Sequence, residues 1–285
     1  MIDMSIIIPA YNRFRELSCV LSDFANYDRV IFSELIIVDD CSSDMGGFDD
    51  FKAVFDGLKC FNSKSYFSNV CNRGACYSRN FGLKKASGKF IYFLDSDDFV
   101  LIDQIQAMMY DEALGDFDMV VSASRLQVPM RFKYDIAKVR SFNLVGPLSG
   151  VIFKKCILQT DPFDVSLESC QDWDMYINGF TKHNNIKAFL VPSFFKYVVS
   201  DDSITLNETR FVQGRIRFFR KNLLADRFMS KAHFLFGCFA FAFKRKMLKQ
   251  FFQIAKNVCR KDELILSILI LPYLCLIFMF RKFYR

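Results

Sequence analysis

Histidine is almost missing from this chain. Its 285 residues contain two, His183 and His233, and neither has a partner at ligand spacing, so both are read as structural or surface residues. No two of the ten cysteines form a C-x-x-C; the closest pair is Cys71 and Cys76, and the spacings match no zinc pattern. Met1 leads almost directly into an apolar run with no leader ahead of it, so reduced thiols in a cytosolic protein are expected rather than a disulfide framework. The stretch after that run, PAYNRFRE, contains no glycine, which removes a Gly-rich phosphate-cradling loop at this position. Internal repeats and low-complexity tracts are also missing.

What is present is apolar. A hydrophobic fraction of 52%, with 16% aromatics, excludes a disordered chain and points toward contact with a membrane. The net charge of +7 hides a division. Residues 1–206 carry 21 Lys+Arg against 27 Asp+Glu, a net −6, while residues 207–285 carry 17 against 4, a net +13. The composition therefore predicts a first domain over 1–206 and a basic second region over 207–285.

The first region alternates short apolar runs with stretches of helical length. Strands are predicted at MSIIIPA (4–10), ELIIVDD (34–40), KFIYFLD (89–95) and FDMVVSAS (117–124). Between the first two, Leu17, Val20, Leu21 and Phe24 recur at helical spacing. Unbroken Ile/Val runs without alternation suit strands covered on both sides. The expected class is α/β, with a mostly parallel central sheet and helices on both faces. Ligands of such sheets sit beyond the carboxyl ends of the strands, which is where Asp39, Asp40, Asp95, Asp97 and Asp98 fall.

The stretch FIYFLDSDDF (90–99) ends an apolar strand with three carboxylates in four positions. Their mutual repulsion is unfavourable unless a positive partner lies among them. A hard divalent cation is one such partner: magnesium binds one or two carboxylates and completes its shell with substrate phosphates. The competing reading is a solvated turn, or acids that favour a helix N-terminus.

Five stretches occur in order: SIIIPAYNR (5–13), IIVDDCSSD (36–44), NRGACYSRNFGL (72–83), ASGKFIYFLDSDD (86–98) and QDWDM (171–175). Together, over about residues 3–200, they resemble the inverting family 2 glycosyltransferases with the A-type nucleotide-sugar-binding fold. The resemblance implies a donor site in which Pro9, Ala10 and Tyr11 line the base pocket and Asp40 hydrogen-bonds the base, with Asp39 supporting the loop. It further implies that Gly74 lets the backbone approach the donor and that Arg79 supplies a cation near the nucleotide or its diphosphate. Asp95 and Ser96 fall to the donor, and Asp97 and Asp98 to a Mg2+ or Mn2+ ion, with the choice between the two acids open. Gly82 is equally well a helix-packing glycine. Ser149 and Gly150, in VGPLSGVIFKK, would lie near the donor sugar.

Inverting transfer needs a carboxylate that takes the proton of the acceptor hydroxyl. The family places it as the Asp of an Glu-Asp pair before a Trp; here the stretch reads SCQDWDMYI, so Asp172 inherits the role and Gln171 replaces the usual Glu. Asp174 is the competing position, about 200° away around a helix. Trp173, the sole tryptophan, suits an acceptor sugar or core packing equally well.

In the basic region, Leu248, Phe251, Phe252, Ala255, Val258 and Cys259 are expected on one face of a helix with Lys249, Gln253, Lys256 and Arg260 mostly elsewhere. Such a helix suits an anionic membrane surface, or packs on the rest of the protein. Residues 264–280, LILSILILPYLCLIFMF, are uncharged, and spanning, re-entrant and interfacial placements all stay open around Pro272. A basic region beside such a segment favours a membrane over nucleic acid as partner. The sequence thus predicts a metal-assisted glycosyltransferase at the cytoplasmic face of a membrane. It would take a sugar, UDP-linked by expectation, from a nucleotide donor to a lipid-linked or other saccharide acceptor. The alternatives are a nucleotidyltransferase of similar fold and a catalytically silent sugar-nucleotide-binding membrane protein.

Overall fold

Strand β1 (Ile2–Ala10) forms the middle of the molecule's first half, flanked in register by β2 (Phe32–Asp39) on one side and β4 (Phe90–Phe93) on the other, both parallel to it. The computed structural model from which this follows describes residues 1–110, 117–123, 129–136, 139, 143, 145–181, 186–196, 208–223, 234–235, 238–239 and 248–258. Among them the main sheet has eight strands in the order β3-β2-β1-β4-β8-β6-β9-β7, and a short antiparallel pair, β5 (Phe99–Val100) with β10 (Phe195–Lys196), stands apart. The remaining strands are β3 (Phe61–Ser68), β6 (Met119–Ser122), β7 (Met130–Tyr134), β8 (Val151–Lys154) and β9 (Ile186–Val191). Pairing is parallel from β3 through β4 and between β6 and β9, and antiparallel where β8 and β7 join. The sheet is mostly parallel, as the unbroken apolar runs imply.

The two sides of β1 are covered by different helices. Ile6 and Ile8 belong to a core shared with α1 (Phe14–Ala25) and α2 (Phe48–Gly57), in which Leu17, Val20, Leu21, Phe24, Phe51 and Phe55 are buried. Each such side chain contributes about 1.5–3 kcal/mol relative to exposure. Ile7 points the other way, toward α3 (Ala75–Lys85), as period-two alternation requires. There Gly82 is a packing residue: a Cβ on it would come within 2.5 Å of Ile7 Cγ2. The remaining helices are α4 (Ile102–Met109), α5 (Gln171–Asn178), α6 (Glu208–Asn222) and α7 (Leu248–Val258).

Besides β5, β8, β9 and β10, the strands β3 and β7 have no counterpart among the predicted strands. Both are sheet edges with polar sequences, FNSKSYFS and MRFKY, and partly or mostly exposed side chains. Charged and polar edges discourage further pairing, and they also remove the apolar signal by which a strand is read.

The chain divides into two compact units. One holds Met1–Ile136, Val145–Val165 and Met175–Ser200; the other holds Ala137–Leu144, Ser166–Asp174 and Asp201–Arg285, so the division falls inside α5. In the second unit α6 and α7 pack together. The inward face of α7 is Phe251, Ile254, Ala255 and Val258, with Phe239 at a 5.3 Å ring distance from Phe251. This corrects the expectation for Phe252. It lies on the outward side, 58% exposed, with Lys249, Gln253 and Lys256. The segment 264–280, Cys259, His183 and His233 lie outside the described residues, among which no helix is long and apolar enough to cross a membrane. Eight cysteines are described, and all are free thiols.

Candidate active site

The order of strands reverses between β1 and β4, the crevice where open α/β sheets bind ligands. The ladder runs to its end there: Leu94 N–H donates to Ile7 O at 3.0 Å, so residues 95–98 emerge beside the end of β1. Pro9 and Ala10 are buried strand residues paired with Val38 and Asp39, and Tyr11 just beyond them is 45% exposed. Asn12, at φ +53, clasps the loops after β1 and β2. Its N–H donates to Ser42 Oγ at 2.7 Å, and its Oδ1 accepts the N–H groups of Ser43 and Asp44.

Asp39 and Asp40 are both buried and have different work. Asp39 accepts from the N–H and hydroxyl of Ser42 and from Ser68 Oγ, which is the loop support expected of it. Burial, and then the nearby Asp39 charge, push the Tyr66 phenol up. Asp40 accepts from Asn69 Nδ2 at 2.8 Å, Arg73 N at 2.9 Å and Gly74 N at 2.6 Å. Gly74, the N-cap of α3, has φ +85 and ψ 160, a conformation essentially confined to glycine. Asp40 therefore holds the entry of α3, where the helix dipole favours an anion.

The acids after β4 are reconciled by arginines from two different elements. Arg79 of α3, buried, places Nη2 2.6 Å from Asp95 Oδ1. Arg13, the N-cap residue of α1, pairs through Nη1 with Asp97 Oδ2. Asp98 and Ser96 are buried, whereas Asp95 and Asp97 keep 34% and 20% of their side chains exposed. Ser149, buried beneath the loop, accepts Asp95 N–H on Oγ at 3.1 Å and the Tyr92 hydroxyl on its carbonyl at 2.8 Å. Burial, reinforced by the charges of Asp98 and Asp95, holds the Tyr92 phenol well above its ordinary pKa and so keeps it a donor. Gly150 leaves room for Phe195, whose ring a Cβ would meet at 2.9 Å.

Arg13 is the site residue that the sequence reading passes over. Its only signal is a cation three positions beyond a strand that ends at a switch point. The acids fit a hard divalent cation in their chemistry: all are oxygen donors, and Asp97 keeps a fifth of its side chain exposed beside buried Asp98. Among the described residues no three His, Cys, Asp or Glu converge as ligands. The protein could thus supply one or two carboxylates, as magnesium sites do when phosphates complete the shell.

Asp172 lies in the second unit. It occupies the first turn of α5, where Oδ1 accepts Trp173 N–H at 2.7 Å and Oδ2 accepts Asn143 Nδ2 at 3.2 Å. Asp174 is buried, with Lys221 Nζ at 2.9 Å and Asn222 Nδ2 at 2.8 Å, so it anchors the end of α6. Trp173 is a packing residue: its ring lies 4.4 Å from Phe218, and Nε1–H donates to Val139 O at 2.6 Å. Gln171 donates from Nε2 to Leu167 O at 2.9 Å, a bond that an ionised Glu, being acceptor-only, could not make.

The profile of "Glycosyl transferase family 2" matches residues 5–145. The UDP-Glc:alpha-D-GlcNAc-diphosphoundecaprenol beta-1,3-glucosyltransferase WfgD of Escherichia coli is 28% identical over 221 residues, 72% of this chain and 80% of that protein. The GalNAc(5)-diNAcBac-PP-undecaprenol beta-1,3-glucosyltransferase of Campylobacter jejuni is 34% identical over 222 residues, 73% of this chain and 68% of that protein. The chain belongs to glycosyltransferase family 2. As a family 2 enzyme it is a glycosyltransferase, and its α/β fold has solved counterparts. The S. aureus TarS 1-349 structure with UDP-GlcNAc superposes with a TM-score of 0.62 at 19% identity, covering 90% of this chain and 79% of that one. The mannosyltransferase PcManGT of Pyrobaculum calidifontis, solved with GDP-Man and Mn2+, gives a TM-score of 0.55 at 15% identity, covering 93% and 78%.

Proposed function

We propose that this glycosyltransferase moves a sugar from a UDP-linked donor to a hydroxyl of a lipid-linked saccharide in surface polysaccharide assembly, with inversion in a single displacement. The observation that carries the reading is the charged constellation at the β1/β4 switch point, where Asp95 and Asp97 lie among Arg79, Arg13 and the loops of Tyr11 and Asp40. The E. coli and Campylobacter relatives, named for undecaprenol-linked substrates, support the acceptor class, and the first is named for UDP-Glc. Tyr11, exposed at the end of β1, stacks on the base; Pro9, Ala10 and Asp40 shape its pocket; Gly74 gives the backbone its approach; Asp95 and Ser96 meet the ribose side.

Asp97, with Asp98 behind it, would hold Mg2+ or Mn2+, which when bound supplies Lewis-acid stabilisation to the departing diphosphate. Asp172 removes the proton of the attacking acceptor hydroxyl, and Asn143 orients its carboxylate. Its rival Asp174 is engaged by Lys221 and Asn222. The basic second unit, with Lys249, Phe252 and Lys256 outward on α7, meets an anionic cytoplasmic membrane surface, each cation contributing about 1 kcal/mol. A transferase assay with UDP-Glc or UDP-GlcNAc and an undecaprenyl-diphosphate-linked saccharide tests the reading. Asp172→Asn should lower transfer by about 10²–10⁴-fold, and wild-type rates in that variant would remove Asp172 as the base.

A further inference from the structure

The pair between Arg13 and Asp97 joins the end of β1 to the loop after β4 across the strand-order reversal. Arg13 is not needed at that carboxylate to cap α1, since its side chain makes no capping bond to the helix. Neither side chain is sealed in: Arg13 is 21% and Asp97 20% exposed, so each can change partner without opening the core. Asp98 behind them is buried, and Asp95 beside them already has Arg79. Arg13 therefore supplies a positive partner to Asp97, the acid of the loop read as the metal ligand.

We propose that Arg13 is a donor-positioning residue that exchanges partners, holding Asp97 in the donor-free enzyme and the donor's diphosphate in the loaded one. The proposal rests on the reading of Asp97 as a metal ligand. A guanidinium and a divalent cation cannot share one carboxylate face without strong like-charge repulsion. When Asp97 turns to the cation, Arg13 is released at the mouth of the crevice. The diphosphate arriving with that cation offers it a bidentate, charge-assisted partner better than a single carboxylate. No bond is made or broken; two ion pairs are traded for others. The consequence is coupling: the donor-free enzyme is a poor binder of the bare metal, and metal and nucleotide bind together.

The experiment is calorimetric titration of Mn2+ and of UDP into the full chain for wild type, Arg13→Gln, Arg13→Lys and Asp97→Asn, with thermal melts confirming that each variant is folded. Arg13→Gln should bind Mn2+ alone on the order of tenfold more tightly than wild type, and UDP in the presence of Mn2+ on the order of tenfold more weakly. Arg13→Lys keeps the charge but not the fork, and should fall between the two. Asp97→Asn should lose Mn2+ binding both with and without UDP. If Asp97→Asn binds Mn2+ as wild type does, the reading of Asp97 as ligand fails, whatever Arg13 does. If Asp97→Asn loses Mn2+ but Arg13→Gln leaves both affinities unchanged, the exchange is overturned and the ligand reading stands.

Discussion

Arg79 and Asp95 meet at 2.6 Å although one lies midway along α3 and the other follows β4, so a buried guanidinium holds the loop that carries the remaining acids. Arg79→Leu should cost about 1–2 kcal/mol of stability, the lower part of the range for a broken pair because Asp95 is one-third exposed. The same change should reduce kcat/KM on the order of tenfold or more, since the loop loses its fixed position. Urea melts and steady-state kinetics read the two effects separately. A normal kcat/KM in the destabilised variant would make Arg79 a staple without a part in donor binding.

Gly74 and Asp40 form the second clasp of the site. Gly74→Ala forces a side chain into φ +85, ψ 160, at a cost of about 1–3 kcal/mol, although no neighbour would clash with the new methyl. Asp40→Asn sets an amide NH2 against main-chain N–H groups that the carboxylate accepts, with a comparable penalty. Chemical denaturation of both variants checks this. If Asp40→Asn melts like wild type, the carboxylate does not anchor the start of α3.

The two acids of α5 should separate by phenotype. Asp174 is buried against Lys221 and Asn222, so Asp174→Ala should destabilise by about 2–4 kcal/mol. Asp172, half-exposed, should lose activity on mutation to Asn while its melting temperature stays within a degree or two. The reverse pattern would exchange their roles.

Alkaline pH should weaken the fold through Cys60, whose thiol burial pushes up to about 11 from the ordinary 9.0. The folded state keeps the proton where the unfolded chain releases it. Stability is therefore full below pH 9 and falls as pH rises from 9 toward 11, by about 1.4 kcal/mol per unit. Cys60→Ala removes this contribution, and the difference between the two proteins in urea melts at pH 8 and pH 10.5 measures it. A constant difference would contradict the assignment.

Much of the donor side was legible because apolar strands that end in acids announce both sheet and site at once. The runs before Asp39 and Asp95 gave β2 and β4, and the buried spacing of α1 followed from Leu17, Val20, Leu21 and Phe24. What stayed hidden depends on neighbours far apart in sequence. Arg13 pairs with Asp97 only because β1 lies beside β4, and an arginine after a strand carries no periodic signal. Trp173 read equally well as a sugar platform until Phe218 and Phe234 were placed against it. The burial of Asp174 against Lys221 and Asn222 left no signal in the local sequence around Asp172. On α7, Phe252 lies only 100° around the helix from inward Phe251, a step that the apolar pattern alone does not resolve.

The β1/β4 crevice should grip a UDP-sugar through a divalent cation on Asp97. Thermal melting of wild type and Asp97→Asn with saturating UDP-Glc or UDP-GlcNAc, each with and without Mn2+, tests it most directly. Ligand at about 100 times Kd stabilises the native state by about 2.7 kcal/mol, a rise of several degrees. That rise is expected in wild type with Mn2+, little of it without the metal, and none in Asp97→Asn. An equal rise in Asp97→Asn, or no rise in wild type with either sugar nucleotide, would contradict it.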